Sequence, residues 1–362
     1  MWLPRDADFR TPRKQIVDIV ATLVLAGCLI DRAFSRFRHR DVVHLSRLKN
    51  GLNVLELWHG ITYAFKDLSL SCSGQFLQYF LEKRQKHVTI IVGTSGDTGS
   101  SAIESVRGAK NIDIIVLLPL GLCSKIQELQ MTTVIEDNVH VFRVEGNSDE
   151  LDEPIKAVFA DVAFAKKHNL MSLNSINWSR ILVQMAHYFF AYFQCVPSMD
   201  ICPLPPVEVV VPTGAAGNLA AGCIAQEMGL PVRLATVVNR NDIIHRTVRQ
   251  GDFSLSGNTR ASLASAMDIQ GTGGWLPKFG DGAALAHLSR PDAKEADKAP
   301  AAICFFMGPF LPGFLLPYAE QRYSLFVQLP IVTDPGGVKR SLKWACRTPI
   351  VGGSWVAKRI ET

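Results

Sequence analysis

The segment Tyr63-Ala64-Phe65-Lys66-Asp67 sets one lysine among apolar and aromatic neighbours. Partial burial disfavours an ammonium, so the pKa of such a lysine falls and its amine becomes nucleophilic towards aldehydes. The competing reading is a surface lysine whose stem lies on apolar surface with its head in water. Two glycine-punctuated loops follow, Gly93-Thr94-Ser95-Gly96-Asp97-Thr98-Gly99 and Pro212-Thr213-Gly214-Ala215-Ala216-Gly217-Asn218. Each lies between an apolar, β-branched run and a helical pattern. Glycines let the backbone approach a ligand, and the N–H groups and dipole of a helix start favour an anion such as phosphate. Taken singly, either loop reads equally well as a plain turn. Neither is a P-loop, since the Gly-Lys-Ser/Thr ending is missing, and neither has the G-x-G-x-x-G spacing of a dinucleotide site. An amine nucleophile opposite two anion-binding loops is what pyridoxal phosphate (PLP) chemistry requires.

The elements that must position these residues alternate. Candidate strands are Val88–Val92, Ile112–Leu118, His140–Val144, Val207–Val211 and Leu234–Asn239. Candidate helices are Leu68–Lys86, Thr98–Gly108, Ser124–Glu136, Asp149–His168, Trp178–Phe193 and Gly217–Met228. This order predicts right-handed βαβ units, hence an α/β fold of two open, mostly parallel halves with helices on both faces. The Pro-rich stretch Pro197–Pro206 separates the halves, giving expected units at 57–196 and 207–270 after an N-terminal segment, 1–56. Ligands in such folds sit at the carboxyl ends of strands, where both glycine loops fall. Residues 271–362 differ in character: they hold 9 of the 19 prolines and 11 of the 27 glycines. No clean periodicity survives there, although Ile303–Phe306 and Tyr323–Val332 are apolar enough for short strands. This Pro/Gly-rich tail reads as atypical and loosely ordered.

Composition bounds the function classes. A chain of 362 residues, 48% hydrophobic and 20% charged, buries a substantial core. The net charge of +5 and the short basic patch Arg32–Arg40 argue against nucleic acid as a partner; that patch reads as the solvated end of a helix. The apolar run Ile16–Ile30 is interrupted by Asp18 and too short to span a bilayer, so a buried amphipathic helix is expected, with export left open. The eight cysteines contain no Cys-x-x-Cys pair, which indicates neither a metal site nor a disulfide framework. Reduced thiols fit a cytoplasmic protein.

The combination is more specific than its parts. An apolar-Lys-Asp segment, then Thr-Ser-Gly-Asp-Thr-Gly, then a Thr-Gly-x-x-Gly-Asn turn resembles the threonine synthase family. Asn174-Ser175-Ile176-Asn177-Trp178-Ser179-Arg180, with Gln184 a turn later, is similar to that family's Asn-Ser-Ile-Asn segment. The likeness runs from about Ile30 to Gln270 and implies a PLP-dependent enzyme of fold type II. It implies that Lys66 is the Schiff-base lysine and acid/base, and that Gly214, Ala215, Ala216, Gly217 and Asn218 cradle the cofactor phosphate. Thr94, Ser95, Asp97 and Thr98 would bind the substrate carboxylate or neighbouring cofactor atoms. Asn174, Ser175 and Arg180 would hold a substrate phosphate, for which a guanidinium suits bidentate binding; a surface salt bridge is the bland alternative for Arg180. The implied reaction is loss of phosphate from O-phosphohomoserine or a similar phosphorylated amino acid, with threonine or 2-oxobutyrate as product.

Both ends depart from the family pattern. The family's Tyr-x-x-Asp-Gly-Gly-Leu-type segment is absent ahead of Ile30, and no residue of 271–362 matches its pyridine-nitrogen partner. A truncated or alternatively spliced isoform, or a shifted reading frame, would account for both. The alternative function is a catalytically impaired, secreted isoform acting through protein contacts. Oligomerisation is left open.

Overall fold

The computed structural model describes residues 25–270, apart from 49–50, 147, 176, 197, 199, 255–258 and 263, together with 301–306 and 360–361. Tyr323–Val332 and the start of the Ile16–Ile30 run lie outside these residues; positions 25–34 form helix α1. Beyond that helix, Arg36 of the basic patch pairs with Glu104 at 2.8 Å.

The first half is a four-stranded, wholly parallel sheet in the order β5-β4-β3-β6, formed by β3 (Val88–Gly93), β4 (Ile112–Pro119), β5 (Val139–Val144) and β6 (Leu170–Met171). Its register sets Val88 beside Ile112, Ile90 beside Ile114 and Val92 beside Val116. All six are buried, and each fully buried Ile or Val contributes about 1.5–3 kcal/mol. Helices α2 (Lys66–Arg84), α3 (Asp97–Val106) and α4 (Lys125–Thr132) cover it, with Leu70, Ile103 and Met131 in its core.

Two helix boundaries differ instructively from expectation. Helix α2 begins at Lys66 rather than Leu68, so the lysine is its first residue. The long helix expected over Asp149–His168 is two, α5 (Ser148–Ala160) and α6 (Val162–Lys167). Asp161 divides them by leaving the helical region and accepting the Phe164 N–H at 3.0 Å, an N-cap stronger than helix continuation there.

The second sheet has the order β1-β2-β9-β7-β8-β10. Strands β7 (Val207–Pro212) and β8 (Val232–Val237) are parallel, as their apolar runs predict. Beside them stand β1 (His44–Arg47) and β2 (Leu52–Glu56), a hairpin that turns at Gly51 with φ +75°. Strand β9 (Ala301–Phe306) sits between β2 and β7, parallel to both, and β10 (Ile360–Glu361) pairs with β8. A piece of the Pro/Gly-rich tail therefore forms an interior strand of this sheet.

Helix α7 (Trp178–Cys195) precedes the Pro-rich break, yet its buried face packs on the second half. Ile181, Met185, Tyr188 and Tyr192 join Val209, Leu219 of α8 (Gly217–Glu227), and Ile243 of α9 (Ile243–Gln250) in one core. Its N-terminus meets the first half, where Ser179 Oγ lies 2.7 Å from Ser73 Oγ of α2. Among the described residues no helix is long and apolar enough to cross a membrane.

Candidate active site

Lys66 enters its helix through a tight turn. Tyr63 adopts φ +60°, uncommon for a non-glycine residue, and Thr62 donates both its N–H and its hydroxyl to Asp67, at 2.8 and 2.7 Å. A Cβ on Gly60 would fall 2.3 Å from Asp67 Oδ2, so this turn demands glycine. Burial outweighs the Thr62 and Ser101 hydrogen bonds and lifts the Asp67 carboxyl to about 6. The turn holds Lys66 at 7% exposure, which removes the snorkelling reading.

Lys66 Nζ lies 3.6 Å from Asp97 Oδ2. Burial lowers the lysine pKa, Asp97 and Asp67 oppose the fall, and the Arg180 charge adds to it. Asp97 is the first residue of α3, at the carboxyl edge of β3. Its other oxygen accepts the side-chain amide of Gln127 at 2.6 Å. Thr94 is buried, and its hydroxyl accepts the N–H groups of Gly96 and Gly99 at 3.0 and 2.8 Å, which fixes the loop. Ser95 and Thr98 are half-buried on the same loop.

Arg180 is almost fully buried at 1% exposure, so the surface salt-bridge reading fails. Its Nη1 donates to the Leu173 carbonyl at 3.2 Å, while Nε is buried without a hydrogen-bond partner. Burial brings its pKa down to about 10. A buried guanidinium with an orphaned donor, close enough to Lys66 to bias it, is a site that fits an anion.

The second loop completes the constellation. Ala216 caps α8 in the left-handed region, φ 56°, and offers no side-chain acceptor to the first turn. An uncapped helix N-terminus fits a phosphate. A Cβ on Gly217 would stand 3.1 Å from the Ser175 carbonyl, so the Asn174–Ser175 turn packs against this terminus. Asn218 is buried with Oδ1 3.3 Å from His187 Nε2, and burial lowers His187 to about 4. Gly214 and half-buried Ala215 open the loop; a Cβ on Gly214 would lie 2.7 Å from Met267 Cα. The close approach at Gly214 is thus to the 3₁₀ turn Ser265–Met267.

Several site neighbours carry no sequence motif. Ser265 Oγ reaches Gln127 Oε1 at 2.9 Å, and Asp268 gathers Asn239, Asn241 and Ser262 into a polar knot just beyond β8. Only Gln127 left a signal, the Ser-x-x-Gln capping box that opens α4. Among the described residues no group of three or more His, Cys, Asp or Glu is arranged to hold a metal.

Two open α/β halves, a buried lysine at a helix start and glycine turns at the carboxyl edges of two sheets define the class: the fold type II architecture of PLP-dependent enzymes. No family model matches the chain. It is 83% identical over 242 residues to human threonine synthase-like 2, covering 67% of this chain and 50% of that protein. Against threonine synthase of Saccharomyces cerevisiae the identity is 42% over 254 residues, 67% of this chain and 49% of the other. The crystal structure of the yeast enzyme superposes with a TM-score of 0.59 at 40% identity, over 68% of this chain and 50% of that one. The PLP-bound threonine synthase of Brucella melitensis gives 0.63 at 33% identity, over 78% and 62%. Over the matched region the chain belongs to the threonine synthase family. It spans about half the length of the curated relatives it matches.

Proposed function

We propose that this chain binds PLP through Lys66 and carries the chemistry of a carbon–oxygen lyase that expels phosphate from O-phosphohomoserine or a similar phosphorylated amino acid. The observation that carries the reading is the buried Lys66 amine, its pKa lowered by desolvation, beside the Asp97 carboxylate and within reach of the charge of Arg180, whose Nε is buried without a partner. Its support from relatives is that a PLP-bound threonine synthase shares the fold. When bound, PLP supplies an electron sink for a carbanion at the amino acid's α carbon.

The rest is work for the protein's own groups. Lys66 Nζ, its neutral form favoured by burial, would hold the cofactor aldehyde and, once the substrate's amine has displaced it and freed the lysine amine, would take or return the α proton. The Asp97 carboxylate pairs with the ammonium whenever Nζ is protonated. The backbone from Gly214 to Asn218 and the α8 dipole hold the cofactor phosphate. Arg180, with Asn174 and Ser175, binds the substrate phosphate and stabilises it as it leaves. Thr94, Ser95 and Thr98 shape the loop that receives the substrate carboxylate.

The test is incubation of the full chain with PLP, followed by absorbance and by borohydride fixation with peptide mass analysis. A band near the visible–ultraviolet boundary, with label on Lys66 and both lost in Lys66→Ala, supports the proposal. A folded protein with no band sinks it. Phosphate release from O-phosphohomoserine, assayed on the same preparation, then tests the lyase step.

A further inference from the structure

Gln127 lies outside the glycine loops, yet every polar atom of its side chain is engaged next to Lys66. Its Nε2 donates to Asp97 Oδ1 at 2.6 Å, and its Oε1 accepts the Ser124 N–H at 3.0 Å and the Ser265 hydroxyl at 2.9 Å. The Ser124 N–H can only donate, which fixes the amide orientation: oxygen towards Ser124 and Ser265, nitrogen towards Asp97. Gln127 is buried at 6% exposure, so these bonds form away from competing water.

The backbone is shaped to the same contact. Gly96 has φ +136°, and a Cβ there would fall 2.5 Å from the Gln127 amide carbon. The loop before Asp97 thus accepts no side chain, and the amide fills that space. On its far side Ser265 begins the turn whose Met267 packs against Gly214 of the other loop. A continuous chain runs from that turn through Ser265, Gln127 and Asp97 to Lys66 Nζ.

We infer that Gln127 is a positioning residue that holds Asp97 against Lys66 and couples the lysine to the Ser265–Met267 turn packed on the Gly214 loop. Three charged groups bias Lys66: Asp97 and Asp67 towards its charged form, Arg180 against it. Of these, Asp97 is the one that Gln127 touches. The inference rests on Lys66 as the reactive amine of the proposed function, but not on cofactor binding.

The experiment reads the pH midpoint of Lys66 acylation in the full chain without PLP, by peptide mass spectrometry. Gln127→Met keeps the volume and removes the amide, so Asp97 loses its hold and supports the lysine charge less. The midpoint should fall by about 0.5 pH unit, a roughly threefold change in reactive amine. In an Asp97→Asn background the same substitution should leave it unmoved. Ser265→Ala should lower the midpoint by a smaller amount. Ser124→Ala breaks the capping box but keeps the amide on Asp97, and should not shift it. An unchanged or raised midpoint in Gln127→Met overturns the inference. So does an equal fall with Asp97 replaced, or an equal fall in Ser124→Ala, which would assign the effect to fraying of α4. A chain that passes here but shows no PLP band would sink the proposed function alone.

Discussion

Lys66 Nζ and Asp97 Oδ2 lie 3.6 Å apart with both side chains 9% exposed, yet the lysine pKa is lowered. An opposite charge at 4 Å is worth about 4 kcal/mol at an effective dielectric of about 20. Burying an ammonium costs several kcal/mol by itself. Arg180 adds its repulsion to that cost, and the net effect is a lowered lysine pKa. The carboxylate therefore moderates the nucleophile and does not neutralise the effect of burial.

Asp97→Asn removes the larger of the two forces that favour charged Lys66. The pH midpoint of Lys66 acylation should drop by about 1 unit or more. Asparagine keeps the shape and one acceptor oxygen, so thermal unfolding should move little. A midpoint that rises would show that Asp97 acts mainly through packing.

Arg180→Met should separate stability from ligand binding. The guanidinium is buried with Nε unsatisfied and has no acidic ion-pair partner among the described residues, so an apolar side chain of similar length removes an uncompensated desolvation cost. The variant should melt at or above the temperature of the parent chain. Inorganic phosphate should raise the melting temperature of the parent but not of Arg180→Met, because only a ligand of the folded state stabilises it. Equal protection of both chains would remove Arg180 from the anion site.

How much of this was legible depended on the range of the interaction. Val88–Val92 and Ile112–Leu118 were legible as strands because a short apolar, β-branched run is a local signal, and both glycine turns followed from their place between strand and helix. Lys66, Asp97 and Arg180 could be named as residues of interest, but their burial comes from tertiary packing. The hairpin of β1 and β2 escaped notice because strands of four and five residues give too few alternations. The apolar run Ile303–Phe306 marked the body of β9 in advance, but its place between β2 and β7 was hidden because those neighbours lie far off in sequence. The allegiance of α7 was hidden for the same reason. Ser265 and Gln127 are 138 residues apart, and no spacing rule reaches that far.

Gly96→Ala should cost more than Gly121→Ala. Both glycines have positive φ, +136° and +74°, but a Cβ at Gly121 meets nothing within 4 Å, whereas at Gly96 it strikes the Gln127 amide. The left-handed backbone alone costs about 1–2 kcal/mol for alanine. At Gly96 displacement of a buried, fully bonded amide adds to that, for about 3 kcal/mol or more in total. Urea midpoints compared at unchanged m-values give the difference, and equal costs would mean that Gln127 yields freely.

Asp67 and His187 should act in opposite directions on stability in acid. Asp67 titrates at about 6 in the folded chain against an ordinary 3.8, so between those values the folded state binds more protons and is stabilised as pH falls. His187 titrates at about 4 against an ordinary 6.5, so across its window the unfolded state binds more protons and the fold is weakened as pH falls. At about 1.4 kcal/mol per pKa unit each effect is worth roughly 3 kcal/mol, and over pH 4 to 6 they largely offset one another. Asp67→Asn removes the stabilising member, so its unfolding free energy should fall more steeply from pH 6 to 4 than that of the parent. His187→Gln removes the other, so its stability should hold or rise over the same interval. Parallel pH profiles for the two variants would mean that neither group keeps its buried pKa, since the opposed signs follow directly from an acid and a base desolvated in the same fold.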